Sequence, residues 1–101
     1  MEQRIRERFA EEFARLIESA PDAEALADDH EGRAVWLRQA SATVYAWDPR
    51  SGAEFDSTAE LLNAPVASVR SAAATTLLGV LERIRTRCRA HARGDCEAGG
   101  G

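Results

Sequence analysis

The sequence predicts an all-α fold: a small bundle of four to five helices with one long C-terminal helix, and a short β-hairpin over 43–55 as the competing reading of one segment. Three observations predict it. Apolar residues recur at intervals of three and four over 5–20 and again over 66–88, the spacing that places side chains on one helix face. Prolines and helix-capping residues punctuate the chain at short intervals. Strand-like composition is confined to the β-branched and aromatic run at 43–47.

Residues 2–19 read as an amphipathic helix. Ile5, Phe9, Phe13, Leu16, Ile17 and Ala20 form its apolar stripe, while Glu2 with Arg6 and Glu11 with Arg15 are carboxylate-first pairs four apart that favour a helix. Both phenylalanines are expected in the core. Pro21 stops this helix and Asp22 can cap a second one over 23–30. That helix is acidic and alanine-rich with Leu26 its single large anchor, so a surface position is expected. Gly32 either ends it or sits inside a longer one. Beyond Gly32, Trp36, Ala40, Thr43, Val44 and Trp47 fit a helical face, widened by Leu37. The same region reads as a hairpin if Asp48-Pro49-Arg50-Ser51-Gly52 is a turn. The helix is preferred because 35–42 lacks strict alternation and an isolated two-stranded hairpin is marginal.

Ser57-Thr58-Ala59-Glu60 matches a capping box and predicts a short helix starting at Ser57. Asn63 would end it, and Pro65 suits the first turn of the next. From there Val66, Val69, Ala73, Leu77, Val80, Ile84 and Cys88 mark one face of a helix over 65–92, about 42 Å long at 1.5 Å per residue. A compact chain of this size has a radius of gyration of only about 13 Å. The helix must therefore bend near Gly79, project, or pack along a second copy.

One domain over 1–93 and a glycine-rich, disordered tail over 94–101 account for the 101 residues. With 45% hydrophobic and 30% charged residues, the chain falls in the globular class. All thirteen basic residues are arginine. The net charge of −4 is unevenly spread. Glu18, Asp22, Glu24, Asp28, Asp29 and Glu31 form a run without a base; Arg83, Arg85, Arg87, Arg89 and Arg93 form a run without an acid. The two runs are either solvated helix faces, whose exposed ion pairs contribute only about 0–1 kcal/mol each, or complements that meet within the molecule or between copies. The charged N-terminus is not a signal peptide, and no apolar run approaches the roughly 20 residues that span a bilayer. A soluble, cytoplasmic protein with reduced cysteines and no membrane contact is the expectation.

Chemistry-bearing patterns are sparse. Cys88, His91 and Cys96, with His30 as a distant fourth, offer soft ligands for zinc but lack paired ligand spacings. No metal or other cofactor is therefore expected. Neither Cys88 nor Ser71 has a histidine at a spacing that makes a nucleophile and base, and no glycine-rich phosphate loop is present. The chain reads as a non-enzyme.

Binding remains, in three readings. The leading one is a small regulatory or interaction protein that binds a protein partner, as a homodimer with the long helix at the interface. Ala73 and Gly79 would admit a second backbone, Arg83, Arg87, Asp28 and Asp29 would pair, and Trp36 would anchor. The runner-up is a helix-turn-helix DNA-binding regulator. Ala59, Leu62, Asn63, Ala64, Val69 and Ala72 resemble that motif in outline, and Ser68, Arg70, Ser71 and Thr75 would face a groove. The third is an acidic inhibitor whose 18–31 segment occupies a basic site on a nucleic-acid-handling partner.

Overall fold

The computed structural model describes residues 3–93. They form five α-helices and one 3₁₀ turn, with no strand among them: α1 (Gln3–Ser19), α2 (Ala23–Asp28), α3 (His30–Trp47), α4 (Pro49–Glu60), the turn Leu61–Asn63, and α5 (Ala67–Arg93). The all-α bundle expected from periodicity is the observed fold. The expected tail over 94–101 lies outside the described residues.

Aspartates start three of the helices. Asp22, in extended backbone, accepts the Ala25 N–H at 2.8 Å through Oδ1. Asp29 does the same for the Gly32 N–H at 2.9 Å, so Gly32 lies in the first turn of α3 and ends nothing. Asp48 accepts the Arg50 N–H at 3.3 Å and the Ser51 hydroxyl at 2.8 Å. Asp29 and Asp48 also keep their own backbone groups in the helical ladders on both sides. Asp29 donates to the Ala25 carbonyl and accepts from the Arg33 N–H, and Asp48 donates to the Val44 carbonyl and accepts from the Gly52 N–H. One residue thus closes one helix and opens the next.

The hairpin reading of 43–55 is corrected by this arrangement. Pro49 sits in the first turn of α4, where its fixed φ and missing N–H cost nothing, and Asp48 caps it. α3 and α4 form an antiparallel helical hairpin whose helices approach closely where Gly52 lies under the Tyr45 ring. A Cβ there would stand 2.5 Å from Tyr45 Cγ, closer than any side chain tolerates. One turn on, Ser41 Oγ donates to Asp56 Oδ1 at 2.7 Å. The capping box is corrected as well: Ser57 lies inside α4, and a cap needs non-helical backbone.

The core is continuous. Phe13 and Leu16 of α1, Leu26 and Ala27 of α2, Trp36, Ala40 and Val44 of α3, Phe55 of α4 and Leu62 of the turn surround one face of α5. That face comprises Ala73, Ala74, Leu77, Val80, Leu81, Ile84 and Cys88. Phe9, half-buried, stacks on Phe13 with ring centroids 6.2 Å apart and meets Trp47 edge-on at 5.3 Å. Val66 and Val69, expected on the buried face, are exposed. α5 begins only at Ala67 after the bends at Pro65 and Val66, and its covered length begins at Ala73.

At 27 residues α5 is about 40 Å long, and the molecule measures 45 × 23 × 21 Å with a radius of gyration of 14.3 Å. The mismatch between helix and globule is therefore removed by elongation of the globule. α5 remains helical through Gly79, and α1 packs along it over the greatest extent of any helix pair.

Candidate interaction surface

The two ends of the molecule differ in what holds them. At the α2 end, Arg33 is the one buried charged side chain among the described residues, 4% exposed. It projects from the α3 stripe that continues through Trp36, Ala40 and Val44. Its Nη1 donates to the carbonyls of Leu26 at 2.8 Å and Ala27 at 3.3 Å, the open C-terminal end of α2. Its Nη2 donates to Asn63 Oδ1 at 2.8 Å and to His30 Nδ1 at 3.0 Å. A guanidinium has only donors, so His30 Nδ1 accepts and its proton is assigned to Nε2. No carboxylate is among these partners; carbonyl dipoles at a helix C-terminus supply the compensating negative charge.

A second arginine works alongside it. Arg70 Nη1 donates to the carbonyls of Ala64 at 2.8 Å and Pro65 at 3.1 Å, and Nη2 pairs with Asp28 Oδ1 at 3.4 Å. The ion pair itself is exposed on the Asp28 side and contributes only about 0–1 kcal/mol. Its value is positional: it fixes α2 against the segment that opens α5.

The arginines expected to answer the acidic run stand elsewhere. Arg83 lies thirteen residues past Arg70 on a continuous helix, about 20 Å along it, and Arg87 and Arg89 lie farther. Arg85 pairs with Glu82 at 2.8 Å. Arg83 and Arg87 are exposed and border, with Ser51, Glu54, Val80 and Ile84, a cleft of about 70 Å³ between α4 and α5. Among the described residues the two charge runs do not meet within the chain. Asp22 and Asp29 are engaged as helix caps, and Asp28 answers Arg70.

The residues expected at a partner interface fall into two groups. Ala73, 3% exposed, and Trp36, 6% exposed, belong to the core; the Trp36 indole N–H donates to the Leu16 carbonyl at 2.9 Å. Gly79 is on the outward face of α5, and a Cβ added there would meet nothing within 4 Å. That face also carries Ser68, Ala72, Thr75 and Thr76, all exposed. Between 61 and 81 the only charged residue is Arg70, which is turned to its own chain. The helix-turn-helix outline fits poorly, because Val69 and Ala72 are exposed where that motif packs them inward.

Cys88 is fully buried, and burial pushes its thiol up to about 11. It is protonated at neutral pH and packs as a small apolar side chain. The side chain of His91 and the whole of Cys96 lie outside the described residues. Within those residues, no group of three or more His, Cys, Asp or Glu side chains is placed to hold a metal. No helix among them is long and apolar enough to cross a membrane. Comparison with protein-family models, curated proteins and solved structures gives no match.

Proposed function

We propose that this chain is a cytoplasmic, non-catalytic regulatory protein that works by binding protein, and that it self-associates through the outward face of α5. The observation that carries this reading is the uncharged, small-residue surface formed by Ser68, Ala72, Thr75, Thr76 and Gly79 on a protein in which 30% of residues are charged. Small side chains let helix axes approach to the short end of the usual 8–10 Å range. Open space at Gly79 leaves room for a second backbone. The outward positions of Arg83 and Arg87 extend the same face toward the C-terminal end of α5.

Magnitude sets the strength expected. From Ser68 to Arg87 the strip is about 30 Å long and about 10–12 Å wide, which is smaller than the roughly 800 Å² that each partner contributes to a standard interface. Self-association is therefore concentration-dependent. Sedimentation equilibrium over a concentration series tests it: a dimer is expected that Gly79→Trp or Ala72→Glu converts to monomer with helical circular dichroism unchanged. A wild-type chain that sediments as a monomer throughout overturns the reading.

A further inference from the structure

Leu61, Val66 and Val69, exposed by 49%, 54% and 38%, are half of the large apolar side chains exposed among the described residues, and they fall within nine positions. Single exposed apolar residues need no explanation, whereas a cluster marks an interaction surface. Their surroundings are distinctive. Arg33 joins the end of α2 to Asn63, and Arg70 joins Asp28 to the carbonyls of Ala64 and Pro65. The segment that carries the apolar residues and acidic α2 are thereby fixed relative to one another at this end of the molecule. α2 presents an open depression of about 520 Å³ lined by Asp22, Glu24, Ala25, Asp28 and Asp29, and the exposed Glu60 adjoins Leu61.

We infer that this end of the molecule docks a basic amphipathic helix belonging to a different protein. The apolar stripe of that helix covers Leu61, Val66 and Val69, and its Lys or Arg residues face Glu24 and Glu60. Charge complementarity selects this occupant. A nucleic acid or an anionic lipid surface is repelled by the acidic border. The arginine run of a second copy does not fit, because Val80, Ile84 and Cys88 on that part of α5 are buried in its own core. It offers charge without an apolar face. Val69 adjoins Ser68 and Ala72 on α5, so the surface borders the N-terminal end of the outward face, while Gly79 stands ten residues farther along the helix, about 15 Å away.

The test uses the full chain and a fluorescent synthetic Leu/Lys peptide with leucines at i, i+3, i+4 and i+7, compared with a scrambled peptide of the same composition. Anisotropy titration is expected to show salt-sensitive binding of the amphipathic peptide and much weaker binding of the scrambled one. Val66→Asp combined with Val69→Asp should weaken binding by at least about tenfold, the factor corresponding to 1.4 kcal/mol. Glu24→Lys should weaken it less and flatten its salt dependence. These positions are exposed, so the variants should keep the helical circular dichroism of the wild type, which is measured alongside. Gly79→Trp should retain full binding, which separates this surface from the dimer face. Absent binding, equal binding of both peptides, or insensitivity to the valine substitutions overturns the inference.

Discussion

The α2 end and the opposite, α1–α4 end of the bundle are held to the same long helix by different physics. Around the middle and C-terminal part of α5 the contacts are apolar: Phe13, Phe55, Leu81, Ile84 and Cys88 are buried together, with Phe9 and Trp47 closing over them. At the α2 end the helix has only six residues and one large apolar anchor, too short to be stable alone. Two arginines compensate by bonding carbonyls that a short helix and a tight turn leave open. Where the chain supplies few apolar atoms, the fold depends on hydrogen bonds that each need a specific partner.

The apolar end is weakened most by deleting its largest buried side chain. Phe13→Ala should cost about 3–5 kcal/mol in urea denaturation. At the polar end, Arg33→Met should cost about 2–3 kcal/mol, because the Leu26 carbonyl and Asn63 amide oxygen lose their donor. Arg33→Lys should recover little of it, since one ammonium does not reproduce a planar fork reaching both groups. A neutral Arg33→Met would show that packing alone holds this end.

A smaller effect separates the two ends by pH. Asp48, at the α3–α4 junction, has its carboxyl held below the ordinary aspartate value, first by the Ser51 hydroxyl and then by the Arg50 and Ser51 N–H groups and the Arg50 charge. A carboxylate with a lowered folded pKa stabilises fully above its unfolded value and loses that contribution as pH falls through the folded one. Acid titration of helical circular dichroism should therefore show a destabilisation that Asp48→Asn removes, since an amide oxygen caps without titrating. The smallest change is at Gly79. With nothing within 4 Å of an added Cβ, Gly79→Ala should raise stability by about 0.5–1 kcal/mol.

Much of the fold was legible in the sequence because it rests on period and punctuation. The stripe of α1 from Phe9 to Ile17, though not the exposed Ile5, the Asp22 cap, the helical character of 43–47 and the buried face from Ala73 to Cys88 all follow from side-chain spacing and capping chemistry. Period alone does not say where the core stops, which is why Val66 and Val69 were expected inside. The Asp48-Pro49 pair is equally a turn and a helix start until the neighbouring helix is seen. Ser57-Thr58-Ala59-Glu60 carries the residues of a cap on backbone that is already helical.

The candidate surface was less legible. Ala72, Ala73 and Ala74 sweep about 200° around a helix, and identical side chains give no basis for choosing which faces in. Trp36 is as suited to a core as to an anchor. Arg33 had one available signal, its register with Trp36, Ala40 and Val44 in the α3 stripe. Its partners lie up to thirty residues away, and three of its four bonded atoms belong to neither a carboxylate nor a helix pattern that spacing can reveal.

The shared aspartates at 29 and 48 carry one more consequence, for digestion. A protease must draw an extended length of chain into its cleft, and such lengths are found where backbone is free of helical bonding. From Asp22 to Glu60 the structure provides none, because each helix begins on the residue that ends the one before. Limited proteolysis should therefore first cut this region's flanks, around Ala20 and Pro21 or within 64–66, and release the three central helices as a single intact fragment.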